Sequence, residues 1–363
     1  MFDIALGIFL LLSPIFFLPV PVGNIAALQF YQFNYFGFSN ANNQLLFFQF
    51  GVLTLFIIAL FCKPQRVIKD KWLALSLALC LLSVFWHPKT VKIFPNIMLG
   101  FLLYYLVAMY TKNIKKIACA VLIVSALNTI FAILQSFGIH WFYKPSGRID
   151  GLMCISSHLG MYQALAVPIC YWLNPWFVII PIIGLLLSKC LIANIAVSVA
   201  MIIYLRRKLA RNMAGSVWVM FGLSISVISA ILAWQYVIQK GFIRLTVWNE
   251  TIKLIWQKLF LGYGAGTFKL MIPQLGQADN PYSLYLSIFF FFGIGGLLFL
   301  CFLKDRFTSM PKTAITASCL IALIIGLSQS FMDFPRIAGT VIVLFAFLTI
   351  EKGEKYGNDS IAI

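Results

Sequence analysis

Long stretches almost free of charge recur along this chain from end to end, and they restrict its fold more than any other feature. A helix needs about 20 apolar residues to cross the hydrocarbon core of a bilayer. About twelve segments approach that length: 4–22, 44–62, 71–87, 93–110, 117–139, 151–173, 175–188, 189–205, 216–238, 282–303, 313–332 and 337–350. The stretch 175–205 reads either as two helices or as one long bent one. With 62% hydrophobic and 10% charged residues over 363 positions, the chain is far more apolar than a soluble domain. The expected fold is an all-α integral membrane protein of about 12 transmembrane helices, and no polar stretch is long enough to form a soluble domain.

The cations follow the same segmentation. Loops on the cytoplasmic side of a membrane carry an excess of Lys and Arg. If the N-terminus is inside, the inner loops hold Lys63, Arg66, Lys69, Lys71, Lys112, Lys115, Lys116, Arg206, Arg207, Lys208, Arg211, Lys304, Arg306, Lys312, Lys352 and Lys355, 16 of the 27 cations. The alternation closes only if 175–205 crosses twice, which predicts an even number of spans and both termini in the cytoplasm. The net charge of +17 is then a topology signal, and no nucleic-acid partner is implied. Asp3 stands where a signal peptide would be basic, so the first segment reads as a retained span. Eight cysteines without CxxC spacing read as small packing residues. His87, His140 and His158 are too scattered for a metal site. The tail 351–363 is short, polar and expected to be disordered and cytoplasmic.

The groups able to do chemistry gather on the outer side. Acids there are Asp150, Glu250, Asp279 and Asp333, and no span carries an acid in its interior, which removes the commonest device of ion-coupled carriers. Arg148, Lys189, Arg244, Lys253 and Arg336 accompany them, a set suited to an anionic, lipid-borne substrate. In the one long extracytoplasmic loop, 239–281, the run RLTVWNETIKLIWQKLF places Leu245, Trp248, Ile252, Ile255 and Leu259 at spacings of three and four. That spacing predicts an amphipathic helix lying along the outer interface. GYGAG (262–266) follows, where glycines end the helix and let the backbone approach something closely. Asp279 and Asn280 then open ADNPYSLYLSIFFFFGIGG (278–296); Asp279 reads either as a helix cap for the span from Tyr282 or as a reactive group.

Arg244, Trp248, LGYGAGTF (261–268), the dipeptide and tyrosine of ADNPYSLYL, and GIGG (293–296) resemble, in this order, the C-terminal loop pattern of the O-antigen polymerase and ligase family. LLLSKCLIANIAVSVAMIIYL (185–205) and SFMDFPRIAGTVIVLFAF (330–347) resemble two of that family's spans, so the likeness covers roughly 145–350, while 1–144 matches only in being hydrophobic. Asp279 stands where the ligases have His, and Ser188-Lys189 where the family has Ser-Arg. The resemblance implies a polytopic glycosyltransferase of the bacterial cytoplasmic membrane. Its substrate would be an undecaprenyl-diphosphate-linked glycan, its acceptor a lipid or a glycan, and it would need no metal or organic cofactor. On that reading Arg244, Arg148 and Lys189 stabilise the departing diphosphate, Asp279 accepts the proton of the attacking hydroxyl, and Asn280 and Tyr282 orient sugar hydroxyls. The competing reading is a lipid-linked oligosaccharide flippase, in which the same cations attract the diphosphate without chemistry.

Overall fold

The computed structural model describes residues 1–13, 40–68, 71–86, 94–139, 149–153, 155–209, 244–264, 267–271, 281–308, 313–329 and 335–355, and all regular structure among them is helical. The helices are α1 (Phe2–Leu12), α2 (Asn40–Leu60), α3 (Lys71–Trp86), α4 (Phe94–Tyr110), α5 (Ile114–Ser136), α6 (Ser156–Leu173), α7 (Ile179–Ser188) and α8 (Leu191–Leu209). They continue with α9 (244–257), then α10 (Phe268–Met271), α11 (Leu284–Phe292), α12 (Gly296–Thr308), α13 (Ala314–Gly326) and α14 (Pro335–Lys355). The expected segment 216–238 lies outside the described residues.

Two of the described helical stretches, Ile114–Ser136 and Leu284–Phe307, are long and apolar enough to cross a membrane; seven further apolar helices have 10–17 residues. That is fewer full-length spans than the sequence predicts. Two chain breaks fall within these stretches. The 175–205 stretch is two helices, because Lys189 takes a left-handed conformation (φ 51°) that ends α7. The 282–303 segment is also broken, at Gly293–Gly295. The tail starts later than expected: α14 runs on to Lys355, and the Glu351 carboxylate accepts a 2.6 Å hydrogen bond from the Thr313 hydroxyl.

α6 is the hub, packed against α5, α7, α8 and α13, while α14, α4 and α2 form a second group joined to the first through α1–α5 and α13–α14. The ends of α5 are tied in different ways. At its start the Asp3 carboxylate accepts from the backbone N–H groups of Lys112 and Asn113 (3.1 and 3.0 Å), an anion placed where the helix dipole favours one. Asn113 caps the same turn by accepting from Lys116. At its other end Gln135 clamps the turn before α6, accepting from the N–H groups of Asp150 and Gly151 and donating to the Gly151 carbonyl.

Between these ends the core is polar without being charged. Gln163 of α6, fully buried, donates to the Ser125 carbonyl and to Thr129 Oγ1 of α5 (3.1 and 3.0 Å) and accepts from Ser125 Oγ. Thr129 in turn donates to the Ile180 carbonyl of α7. The amide fits because α7 has a glycine opposite it: a Cβ on Gly184 would stand 2.6 Å from Gln163 Nε2 and 2.7 Å from Thr129 Oγ1. Gly184→Ala is expected to lower stability by about 1–3 kcal/mol through overpacking, read as a fall in thermal unfolding temperature. Gln163→Leu in the same background should not restore it, because Thr129 still blocks the notch.

Candidate functional site

The predicted amphipathic helix is present as α9, but its packing face is turned from the expected stripe. Val247 and Thr251 are fully buried, whereas Leu245 and Ile252 are exposed together with Trp256, which is 71% exposed. α9 meets the chain through Val247, with Leu254 and Ile255 beside it, in a small core of its own completed by Tyr263, Phe268 and Phe290. The exposed Leu245–Ile252–Trp256 ridge is continued by Phe260 and Leu261.

The two glycine motifs that the sequence separates by thirty residues are one structure. Tyr263 and Gly264 donate their N–H groups to the carbonyls of Phe290 and Phe291 (2.7 and 2.9 Å), and Ile294 donates to the Leu259 carbonyl (2.6 Å). The loop after α9 thereby takes up carbonyls at the end of α11, which the break at Gly293 would leave without intrahelical donors. Gly262 and Gly293 both have positive φ (67° and 56°). A Cβ on Gly262 would lie 2.5 Å from the Phe291 carbonyl oxygen and 2.6 Å from Gly293 N, and one on Gly293 would lie 2.7 Å from Gly262 N. The close approach expected of the GYGAG glycines is therefore to the GIGG break. Phe290, within the four-phenylalanine run, is completely buried beneath the Tyr263 ring (centroids 4.9 Å) and edge-on to Phe268.

At the other end of α9, Arg244 meets Tyr282 just ahead of α11. Its guanidinium carbon lies 5.7 Å from the Tyr282 ring centroid, within cation–π range. Since Leu259 meets Ile294 at the far ends, α9 and α11 run side by side in the same direction. Arg244 Nη1 also donates a long 3.4 Å bond to the Ser328 carbonyl. No carboxylate among the described residues pairs with this guanidinium, whose fork carries five donors. Trp248 Nε1, one turn along α9 from Arg244, and Oγ of Ser328, whose carbonyl accepts from Arg244, are both buried and make no hydrogen bond. Tyr282 has φ 53°, an uncommon conformation for a bulky residue and one that marks functional segments when the surroundings enforce it.

Of the residues expected in the site, the structure brings together Arg244 and Tyr282. Asp279, Asn280 and Arg148 lie outside the described residues. Lys189 is exposed in the α7–α8 break, where Gly160 of α6 closes on Ser188 and Cys190. Asp150, expected at the outer surface, is 5% exposed beside the Gln135 clamp. Glu250 is paired with Lys253 at 2.7 Å. The cap of α11 is Ser283, whose side chain accepts from Leu286 N–H while its hydroxyl faces the Gly326 carbonyl (3.4 Å). Ser283, Ser328 and the backbone pairing of the glycines carry no pattern in the sequence. They become visible only when the end of α13 is set against the start of α11. Among the described residues no group of His, Cys, Asp and Glu is placed to hold a metal.

Alanine at Gly262 or Gly293 would combine a left-handed residue, at about 1–2 kcal/mol, with a clash against backbone. Each is expected to destabilise the chain by at least about 2 kcal/mol and to raise hydrogen exchange at Tyr263, Gly264 and Ile294 first; unchanged protection there would show that the pairing does not hold the loop. No protein-family model matches this chain and no curated protein is significantly similar to it, so the chemistry of these residues and the motifs themselves carry the functional reading.

Proposed function

We propose that the chain is a polytopic glycosyltransferase of the O-antigen polymerase and ligase type, acting on undecaprenyl-diphosphate-linked glycan at the outer face of the bacterial cytoplasmic membrane. Placement in a bilayer is supported by the outward faces of the helices. Ile4, Ile8 and Leu12 on α1, and Phe50, Leu53, Ile57 and Phe61 on or just after α2, are large, exposed and aligned at helical spacing, a surface that soluble monomers rarely present. The neutral amides and hydroxyls between α5, α6 and α7 are the kind of polar contact that joins helices in lipid. Irregular backbone such as the Gly293 break is tolerated at membrane depth only where other groups satisfy it, and the 259–264 loop does so here.

The observation that carries the reading is Arg244: a half-buried guanidinium held by an aromatic ring and one long hydrogen bond, with no carboxylate partner among the described residues and its fork left for a ligand. Such a group suits a planar, multidentate phosphate contact. In the reaction an acceptor hydroxyl attacks the anomeric carbon, the bond from that carbon to the diphosphate oxygen breaks, and the electron pair leaves with the diphosphate. Arg244 stabilises that charge, with Arg148 and Lys189 as further cations, and Asp279 takes the hydroxyl proton. Asn280 and Tyr282 orient the sugar.

Topology supplies an independent check. Single cysteines placed in 206–215 should resist an impermeant thiol reagent in intact cells, and those in 239–281 should react; labelling of 206–215 would place the site on the wrong side. For the chemistry, Arg244→Lys keeps the charge but loses the fork, and loss of a transition-state donor costs about 100- to 1,000-fold in rate. Asp279→Asn should cost about 100- to 10,000-fold with accumulation of lipid-linked glycan. Because Ser283 caps α11, a stability loss from a missing cap does not confuse that result. Normal glycan products from both variants at matched expression would defeat the assignment.

A further inference from the structure

We infer that Trp248 Nε1 and Ser328 Oγ join the Arg244 guanidinium in a cradle for one phosphoryl oxyanion of a lipid phosphate ester. The inference rests on the proposed reading of Arg244 as a phosphate contact and adds two donors to it. Both atoms are buried and without a hydrogen bond, a state that costs free energy and so calls for a partner. Trp248 stands one turn along the helix that carries Arg244, and Ser328 meets Arg244 through its carbonyl. Side chains of a helix lean toward its N-terminus, and residues four apart share a face, so the indole of Trp248 lies over the turn that carries Arg244. Ser328 comes from beyond the end of α13 and already accepts from Arg244 Nη1 through its carbonyl at 3.4 Å. Tyr282 closes a third side with its ring against the guanidinium. An indole N–H donates only, and a hydroxyl can donate; with the Arg244 guanidinium they make a set of donors from two elements, α9 and the turn after α13, and no acid among the described residues pairs with that guanidinium. An oxyanion is the ligand such a set recognises.

Two sources supply that chemistry, a lipid-linked diphosphate and the headgroup of a bilayer phospholipid. The test uses the full-length chain in phosphatidylcholine nanodiscs, titrated with farnesyl diphosphate, and in a second arm with phosphatidylglycerol added to the discs as competitor. Trp248→Phe keeps an aromatic six-membered ring and removes the pyrrole with its N–H; Ser328→Ala removes the hydroxyl alone. Each should weaken farnesyl diphosphate binding about tenfold or more, the loss expected for a hydrogen bond to a charged acceptor. Ser328→Ala should not lower the unfolding temperature of the ligand-free chain, because the deleted oxygen has no partner there. Competition by phosphatidylglycerol that both substitutions abolish would uphold the cradle and assign it to a headgroup. Wild-type binding in both variants, or a drop in the ligand-free unfolding temperature of Ser328→Ala, would overturn it. Weakened binding alongside normal glycan products in Arg244→Lys would keep the cradle and remove glycosyl transfer; unchanged binding in both variants alongside glycan loss in Arg244→Lys would do the reverse.

Discussion

The backbone hydrogen bonds between the 259–264 loop and the end of α11 set the geometry of everything around the site. A helix broken at Gly293 leaves carbonyls of its last turn without donors, and those groups need partners wherever water is excluded. Tyr263 and Gly264 provide them, and can do so only because neither Gly262 nor Gly293 has a Cβ to hold the strands of backbone apart. With that end of α9 fixed, its other end is fixed too, and Arg244 arrives beside Tyr282 and Ser328. The small core of Val247, Tyr263, Phe268 and Phe290 keeps α9 on α11 along its length, so the guanidinium is positioned by a rigid element and not by a free loop.

Polarity is divided between two kinds of group in two places. Inside the helix bundle the buried polar side chains that bridge α5, α6 and α7 are Gln163, Ser125 and Thr129, neutral groups that satisfy each other. Gln135 likewise is spent on holding the turn at Asp150 and Gly151. Trp248 Nε1 and Ser328 Oγ are buried without a hydrogen bond, as is Thr111 Oγ1 at the end of α4. Fully matched polar networks rigidify a fold, whereas unmatched buried groups are retained at a stability cost.

Much of the fold was legible from the spacing of apolar residues. Helical segments at 44–62, 71–87, 93–110 and 337–350 correspond to α2, α3, α4 and α14, and the helix at 244–257 follows from its three-and-four periodicity. Its rotation was not legible. Leu245, Trp248 and Ile252 make the more hydrophobic stripe, yet the face that packs runs through Val247 and Thr251, since Thr251 can bury itself by donating its hydroxyl to the Val247 carbonyl one turn earlier. Periodicity reports which side chains avoid water; it does not distinguish a face turned to protein from one turned to lipid. Of the residues singled out because their types carry chemistry, Arg244 and Tyr282 meet in the structure. Ser328 was missed because a lone serine at the end of an apolar helix has no signature, and Asp150 was misplaced because its burial depends on the Gln135 amide from another helix.

Tyr282 links the scaffold to the chemistry. A left-handed tyrosine is unfavourable by about 1–3 kcal/mol, and glycine would serve the turn better. The residue is held there by what stands on either side: Ser283 caps α11 and faces the Gly326 carbonyl, and the ring stacks near Arg244. Tyr282 also packs against the core of Val247, Tyr263, Phe268 and Phe290. Here the strained backbone directs an aromatic face at the guanidinium, and it does so three residues after Asp279 and two after Asn280. The proposed base and the sugar-orienting amide are thus threaded on the few residues that lead into α11, and the proposed diphosphate contact, Arg244 of α9, meets the same stretch at Tyr282. A change in the conformation of Tyr282 would alter the approach of the 279–282 segment and the environment of Arg244 together, which couples recognition of the anion to placement of the groups that act on the sugar.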